Sequence, residues 1–492
     1  MIRYTLGWIL MFEAGFLLVP LITSIAYLEL WPMVAILISI ALCAGIGFLC
    51  SYKKPLSKAL YSKDGLVIVA LSWIFLSLFG ALPFYISGSI PSFIDALFES
   101  ASGFSTTGAS IVPLVEELPK SMLMWRSFTH WVGGMGVLVF IMAFLPLSGA
   151  QNLHIMRAES PGPSVSKLVP KMKTTALILY LIYFILTVIM FIILLFGEMT
   201  VFEALNTAFA TAGTGGFAIK NDSFASFSPY TQIVTTVFML VFSINFSSYY
   251  LAMKHRWRDA FNLEFRVFVV IVLLATVLIT LNVFSGEISN EVFAVENSDY
   301  SANGGYTFRE SLRHSAFAVA SLISTTGFGT ENFVAWPAFS QTILVLIMFI
   351  GACAGSTGGG IKVSRILILI KGVGLELKAA IHPRQVKKIT IDKRPVDNEI
   401  VRSVNAYMIC YITVFVASLL LLSFENYDFI TNFTAITATI NNVGPGLGLV
   451  GPASNYAFFS PFSKLVLIFN MLAGRLELLP MLLLFAPSTW KK

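Results

Sequence analysis

Ten long apolar runs dominate the chain, and each has the length of a helix that crosses a membrane. A bilayer core of about 30 Å requires about 20 apolar residues in a helix. The runs cover approximately residues 4–28, 32–50, 65–87, 121–145, 174–196, 230–253, 266–284, 337–371, 403–423 and 463–486. This pattern predicts an all-α integral membrane protein with ten transmembrane helices.

Four shorter runs alternate with the later apolar runs and are richer in Ser, Thr, Asn and Gly. They cover residues 92–107, 200–215, 308–326 and 428–443. Because these segments are too short and too polar to cross a bilayer, we expect them to enter the membrane and return. Such re-entrant helices are tolerated only inside protein or beside a water-filled cavity.

From residue 65 onward one unit recurs: an apolar run, a re-entrant helix, a glycine turn and a second apolar run. The turns span residues 105–109, 213–217, 324–328 and 441–445, with equivalent glycines at Gly108, Gly216, Gly327 and Gly444. A small residue lies six positions before each glycine, at Ser102, Ala210, Ser321 and Ala438. Four copies at a near-constant period indicate internal repetition. The predicted organisation is two extra helices in 1–52 and pore repeats in 65–150, 174–255, 266–371 (with a broken second helix) and 403–487.

Four such units in one chain predict a pseudo-fourfold cation pore. In potassium filters, carbonyls from four extended loops replace the water shell of the ion, and glycine permits the unusual backbone conformation. The C-terminal ends of the re-entrant helices also favour a cation. The candidate filter residues are Thr106, Thr107, Gly108, Thr214, Gly215, Gly216, Thr325, Thr326, Gly327, Asn442, Val443 and Gly444. The alternative, in which the glycines only end helices, explains a single turn better than four in register.

Composition and charge agree with a membrane protein and give it an orientation. Of 492 residues, 57% are hydrophobic and 12% are charged, whereas soluble domains carry about 25% charged residues. Most of the 32 Lys and Arg residues lie at Arg3 and in 53–63, 157–173, 254–266, 362–402 and 491–492, while acidic residues occupy the alternate loops. The positive-inside rule then places both termini in the cytoplasm and the re-entrant helices on the outer side.

The eighth apolar run contains five glycines between Gly351 and Gly360. Each glycine inside a helix costs about 1 kcal/mol relative to alanine, so we expect the helix to break near mid-membrane. Close helix packing through small residues is the alternative. A phosphate-binding loop is a poor match because Ile361 separates Lys362 from the glycines.

These motifs resemble the Trk/Ktr/HKT superfamily of potassium transporters, and the TrkH type within it. The similarity covers nearly the whole chain. It rests on the four glycine turns and on three further segments, residues 351–362, 130–136 and 474–477. It implies potassium uptake across the bacterial inner membrane by a homodimer with one pore in each protomer. It also implies a cytosolic nucleotide-binding regulatory ring of the TrkA type as partner. The fourth turn departs from the pattern of potassium channels, which leaves a less selective potassium and sodium pathway open.

The resemblance also implies that the glycine-rich segment is an intramembrane gate loop under the filter. The candidate gate residues are Gly355, Ser356, Thr357, Gly358, Gly359, Gly360, Lys362 and Arg475. Arg475 lies roughly 18 Å into the last run at 1.5 Å per residue, where a charge indicates function. We expect it to bond carbonyls of the gate loop, because Glu477 lies on another helix face.

The other reactive residues do not form an enzyme site. The five histidines are scattered, and the four cysteines lie in apolar stretches without metal-ligand spacing. We therefore expect no enzymatic activity, no covalent cofactor, no disulfide and no transition metal, with potassium as the only metal ion. Nucleic acid is not expected as a partner. The roles of Glu13 and His130 stay open.

Two further alternatives remain. The basic segment 372–402 fits either a surface that faces membrane lipid or part of a docking face for the regulatory ring. A secondary cation transporter that works by rocking of its repeats, coupled to protons or sodium, is the competing function. The sequence does not distinguish passive flux from proton-coupled transport.

Overall fold

The computed structural model describes residues 1–53, 62–136, 172–285, 306–382, 388–392 and 394–490. Over these ranges the regular structure is helical apart from one hairpin of two short strands, as the all-α prediction requires. The strands are β1 (Thr390–Ile391) and β2 (Arg394–Pro395), which pair antiparallel.

Three helices precede the repeated units: α1 (Ile2–Phe16), α2 (Leu18–Ala26) and α3 (Leu30–Ser51). Helices α1 and α3 touch through glycines, since a Cβ on Gly7 would lie 2.7 Å from the carbonyl oxygen of Gly47 and a Cβ on Gly47 would lie 2.8 Å from that of Gly7. Small residues allow such close approach of helices in membranes.

The remaining described helices follow one order four times, with a long helix, a short helix and a second apolar run; this second run is interrupted in the last three units. The first unit contains α4 (Ser62–Gly80), α5 (Leu82–Ile86), α6 (Phe93–Phe104) and α7 (Lys120–Gly134). The second contains α8 (Met172–Leu195), α9 (Val201–Gly213), α10 (Pro229–Phe242), α11 (Phe246–Met253) and α12 (Trp257–Ala260). The third contains α13 (Leu263–Ser285), α14 (Phe308–Ile323), α15 (Ala338–Phe349) and α16 (Val363–Ile381). The fourth contains α17 (Asn398–Leu422), α18 (Phe429–Ile440), α19 (Pro461–Arg475), α20 (Leu479–Phe485) and α21 (Pro487–Trp490).

The short helices α6, α9, α14 and α18 share a sequence signal at their N-termini. In each, the residue before the helix accepts a hydrogen bond from the backbone N–H three positions on, through Ser92, Thr200, Thr307 or Asp428. In α9 and α14 a glutamate at that third position completes a capping box. Such caps satisfy N–H groups that a helix start leaves unpaired, so these segments begin as helices at defined residues.

Within the described residues, six helical segments are long and apolar enough to cross a membrane. They are Ile2–Ala26, Leu30–Ser51, Lys63–Ile86, Thr174–Leu195, Leu263–Ser285 and Asn398–Glu425. Helices α10 and α11 give a seventh if their 87° bend lies within one span. The predicted number of ten therefore stays a prediction.

In three units the second long apolar run is broken into separate helices, and in the first unit the described part of that run ends as a helix at Gly134, so fewer described segments are long enough to cross a membrane. Helix α7 ends at Gly134, α10 gives way to α11 at 243–245, α15 to α16 at 350–362, and α19 to α20 at 476–478. The sequence predicted only the third of these breaks, and in the structure the runs 230–253 and 463–486 each contain a further break between two helices. Asn245 caps the start of α11 by accepting the Ser247 N–H, and Glu477 and Leu478 have φ of 58° and 67°, which ends α19.

Candidate functional site

The four glycine turns share one backbone conformation. In each, the N–H of the residue before the glycine donates to the carbonyl of the small residue five positions earlier. These bonds join Thr107 to Ser102 (2.9 Å), Gly215 to Ala210 (2.9 Å), Thr326 to Ser321 (2.8 Å) and Val443 to Ala438 (2.8 Å). A bond of this span, following a left-handed residue, ends many helices. The recurring small residue is therefore the acceptor of the bond that closes each re-entrant helix.

Each turn has two residues with positive φ, which are the glycine itself and the residue two positions before it. The earlier of these positions is never glycine. It is occupied by Thr106, Thr214, Thr325 and Asn442, with φ between 54° and 61°. The left-handed region is unfavourable for threonine because its side chain branches at Cβ. Backbone strain of this kind persists where the surroundings enforce it, and it concentrates at functional sites.

The turns meet in a closed ring, which we call the glycine ring: Gly108, Gly216, Gly327, Gly444 and the residue before each. A Cβ on Gly108 would lie 2.0 Å from the carbonyl oxygen of Gly215, and one on Gly216 would lie 1.9 Å from that of Thr326. A Cβ on Gly327 would lie 2.1 Å from the Val443 oxygen, and one on Gly444 would lie 2.7 Å from the Thr107 oxygen. Each glycine thus faces a carbonyl of the next unit, and the fourth returns to the first. No side chain fits at these positions without displacing that backbone.

A cavity of about 270 Å³ adjoins the ring and is lined by all four glycines. Its other walls come from the loops that follow the turns and include Ser110, Ser223 and Asn455. The four turns that the sequence singled out therefore border one polar space.

His130 links the first turn to the second. Its Nδ1 lies 2.8 Å from the Gly103 carbonyl oxygen, and its Nε2 lies 3.1 Å from the backbone nitrogen of Phe217. Because the Phe217 N–H donates to Nε2, the ring is neutral and carries its proton on Nδ1. A Cβ on Gly215 would lie 2.1 Å from the His130 ring. His130 is a buried side chain that connects α6 to the second turn, which gives a structural role to a residue whose role the sequence left open.

A buried ion pair lies at the same contact between the first and second units. Arg126 Nε lies 2.7 Å from Glu99 Oε1, and the two side chains are 2% and 0% exposed. Arg126 also donates to the Ala218 carbonyl (3.2 Å) and to Ser110 Oγ (3.1 Å), while Glu99 accepts the Ile111 N–H (3.0 Å). The pair holds the loop after the first turn against the loop after the second, and Arg126 lines the cavity. Sequence analysis missed both residues, although a charge inside a re-entrant helix was a signal for Glu99.

Other contacts join the remaining units. Between the second and third, Gly329 N–H donates to Ser223 Oγ at 3.1 Å. Between the fourth and first, Asn442 Nδ2 donates to Thr107 Oγ1 at 3.0 Å, and Lys464 Nζ lies 2.7 Å from Asp95 Oδ1. These contacts fix the positions of the turns relative to one another.

The glycine-rich segment lies directly against the third and fourth turns. A Cβ on Gly358 would lie 2.9 Å from the Ser324 carbonyl oxygen, and one on Gly359 would lie 2.4 Å from that of Asn441. The Gly359 N–H donates to Thr325 Oγ1 at 2.6 Å. Segment 350–362, which we call the intramembrane loop, therefore touches the ends of two re-entrant helices. The predicted break in the eighth run is confirmed.

Two basic side chains bind carbonyls of this loop. Lys362 Nζ donates to the carbonyls of Gly358 and Gly359. Arg475 donates to the Thr357 carbonyl at 2.7 Å, as expected, and also to those of Gly133 and Gly134 at 2.5 and 2.6 Å. Arg475 therefore ties the loop to the end of α7.

The loop also contacts the break between α10 and α11. The Cys353 N–H donates to the Ser243 carbonyl at 3.1 Å, and the Phe246 N–H donates to the Gly355 carbonyl at 3.0 Å. Glu477, in the break between α19 and α20, forms an ion pair with Arg365 of α16. The end of α7 and the breaks in the second, third and fourth units thus lie close to the intramembrane loop.

Part of the predicted docking face falls in segments that the structure does not describe. Arg157, Lys167, Lys171, Arg384, Lys387 and Lys393 lie outside the described residues. Lys378, Lys388 and Arg394 are described and exposed. Among the described residues, no group of three or more His, Cys, Asp or Glu side chains can hold a metal ion.

The fold and the glycine ring define a helical membrane protein in which four short helices of one chain end at a closed ring of turns. Residues 32–492 match the family model TrkH, described as a cation transport protein. The chain therefore belongs to the TrkH family. This membership makes it a transport protein and not an enzyme, and it confirms the resemblance seen in the sequence.

Named relatives and a solved structure match over most of the chain. The Trk system potassium uptake protein TrkH of Salmonella typhimurium is 37% identical over 441 residues, covering 88% of this chain and 87% of the relative. TrkH of Halomonas elongata is 33% identical and covers 100% of this chain and 99% of the relative. The crystal structure of the potassium transporter TrkH from Vibrio parahaemolyticus matches with a TM-score of 0.86 and 32% identity, covering 100% of this chain and 99% of that one.

Proposed function

We propose that this protein takes up potassium across the bacterial inner membrane through the glycine ring. The observation that carries the proposal is the closed cycle of contacts, in which each glycine faces a carbonyl of the next unit. Carbonyl oxygens from four turns around one centre are the ligands that replace the water shell of potassium. The names of the relatives, which are potassium uptake proteins, support the choice of ion.

The intramembrane loop is the gate in this proposal. It lies against the ends of α14 and α18, and it is held by Lys362 and Arg475. Irregular backbone inside a membrane needs partners for its polar groups, and these two cations supply donors to its carbonyls. The described conformation is then a closed state that the tethers stabilise.

The partners in this proposal are those that the family resemblance implies. Two protomers form a homodimer, each with its own pore, and both termini face the cytoplasm. A cytosolic nucleotide-binding ring of the TrkA type docks on the basic loops and opens the gate. The exposed side chains of Lys388 and Arg394 are part of the docking face.

The experiment is cation flux into liposomes that contain the purified protein. An imposed potential should drive uptake of potassium and rubidium in preference to sodium, with and without a pH gradient. Gly216→Ser should reduce this preference, because its Cβ would meet the Thr326 carbonyl oxygen at 1.9 Å. Gly374→Ala is the matched control, since a Cβ there meets no atom within 4 Å.

The outcomes separate the candidate functions. Uptake that requires a pH or sodium gradient would favour the rocking transporter over a passive pathway. Equal uptake of sodium and potassium would favour the less selective pathway. Unchanged selectivity in Gly216→Ser would count against the glycine ring as filter.

A further inference from the structure

A buried carboxylate holds both flanks of the intramembrane loop. Glu264 lies in the first turn of α13 and is 8% exposed. Its Oε1 accepts the Ala354 N–H at 2.8 Å and the Ser364 N–H at 3.1 Å. These donors precede and follow the four clustered loop residues 357–360. Because one carboxyl oxygen accepts both N–H groups, Glu264 ties both flanks of the loop to the start of α13.

The same helix start is bound by the short hairpin of β1 and β2. The Leu263 N–H donates to Asp392 Oδ1 at 3.0 Å, and Asp392 lies in the turn between the strands. Arg266 Nη2 lies 3.5 Å from the same Asp392 oxygen. Asp392 therefore positions the residue next to Glu264 in the chain.

The hairpin also rests on the helix that leaves the loop. Ile389 packs in a small cluster with Ile368 of α16 and Val404 of α17. Lys371 Nζ, also on α16, donates to the Thr390 carbonyl at 2.6 Å. A displacement of the hairpin would thus act on the loop through α16 and through the start of α13.

We infer that Glu264 is a positioning residue that holds the intramembrane loop closed, and that the Asp392 hairpin controls it from the basic surface that includes Lys388 and Arg394. The inference rests on the proposed gating role of the loop and adds the route by which a cytosolic partner reaches it. A hairpin pulled away by a partner removes Asp392 from Leu263, frees the start of α13, and shifts Glu264 away from the two N–H groups.

The test is rubidium uptake by the full chain in liposomes without any partner protein. Glu264→Ala should raise uptake by about tenfold, because the loop loses the acceptor of two buried N–H groups. Glu264→Gln should stay near the parent, since both bonds go to one oxygen and an amide oxygen also accepts. Glu264→Asp keeps the carboxyl group on a shorter side chain, so it should give an intermediate rise in uptake. It also serves as a second test if Glu264→Ala does not fold.

Asp392→Ala tests the hairpin, and it should raise uptake less than Glu264→Ala. The double variant should match Glu264→Ala alone, because the two residues act in series. Asp259→Ala is the control, since Asp259 forms an exposed pair with Arg256 three residues earlier. Selectivity for rubidium over sodium should be unchanged in every variant.

Arg475→Ala separates this inference from the gate itself. One outcome would contradict the role of Glu264 alone: raised uptake in Arg475→Ala together with parental uptake in folded Glu264→Ala and Glu264→Asp. The proposal that the intramembrane loop is a gate would still hold in that case. Parental uptake in all three would overturn both. Additive effects of Glu264→Ala and Asp392→Ala would overturn the route from the hairpin.

Discussion

Glu99 and Arg126 form an ion pair 2.7 Å long that is almost completely buried beside the glycine ring. The pair joins a re-entrant helix of the first unit to the Ala218 carbonyl just beyond the second turn. Because the two charges are out of contact with water, each depends on the other and on Ser110 for its stability. Arg126 therefore joins the first two units through its hydrogen bond to the Ala218 carbonyl. Ion pairs also join the fourth unit to the first, between Lys464 and Asp95, and the third to the fourth, between Arg365 and Glu477.

Removing one partner of this ion pair should strongly lower the free energy of unfolding. Arg126→Gln leaves Glu99 as a buried charge without its cation, and such losses cost about 3–5 kcal/mol. We expect a lower unfolding temperature in detergent and reduced uptake. The control is Arg256→Gln, which breaks an exposed pair and should cost about 1 kcal/mol or less.

A double variant tests whether the effect comes from the unpaired charge. Glu99→Gln combined with Arg126→Gln restores a neutral pair and should recover part of the lost stability. If the double variant is as unstable as the sum of the single variants, the pair is not coupled.

Substitutions in the glycine ring should differ in severity. A Cβ would lie about 2 Å from a neighbouring carbonyl oxygen at Gly108, Gly216 and Gly327, but 2.7 Å away at Gly444. Serine at the first three positions should therefore weaken discrimination against sodium more than at Gly444. Rubidium and sodium competition in liposomes measures this order, and an equal loss at all four positions would contradict it.

His130 should act as a neutral structural residue that connects two units, and not as a proton carrier. His130→Ala leaves the Gly103 carbonyl and the Phe217 N–H without their partner, at about 1–3 kcal/mol for each buried group. We expect lower stability together with an uptake profile that keeps its shape from about pH 5 to 8, where an ordinary histidine titrates. A change in shape with unchanged stability would indicate a proton-coupling role instead.

Features encoded locally were predictable from the sequence. Apolar runs revealed the helical membrane fold, and the spacing of Gly108, Gly216, Gly327 and Gly444 revealed the four turns. The glycine cluster at 351–360 revealed the break before α16. The apolar runs and the glycine cluster are signals within one segment, because they act on the local backbone. The four turns were recognisable because the same local pattern recurs at a near-constant period.

Contacts between distant segments were not predictable. Glu99 and Arg126 are on different helices, and Asp392 reaches Leu263 across 129 positions of the chain. The breaks after α10 and α19 also escaped prediction, because they depend on single residues such as Asn245 and Glu477 and not on a glycine cluster. Arg475 was recognisable by its depth, but its bonds to Gly133 and Gly134 required the packed structure.

The basic surface around the hairpin should bind a cytosolic regulatory ring. Charge reversal at Lys387 and Lys388, and separately at Lys388 and Arg394, should weaken co-purification with a TrkA-type ring while the membrane protein stays folded. Arg3→Glu is a matched reversal away from this surface. If binding survives these reversals and similar ones in the other basic loops, the docking face lies elsewhere.

Arg475 should keep the gate shut through its three carbonyl contacts. Arg475→Ala removes the donors to Thr357, Gly133 and Gly134, so the loop loses its tie to α7 and the open state gains population. We expect rubidium uptake by purified protein, without any partner, to rise several-fold, with little change in selectivity because the glycine ring is not altered. Arg475→Lys keeps the charge but not the planar fork that spans several carbonyls, and it should give a smaller rise. Uptake is normalised to folded protein, and equal or lower uptake in well-folded Arg475→Ala and in a deletion within 355–360 would rule out the tethered gate.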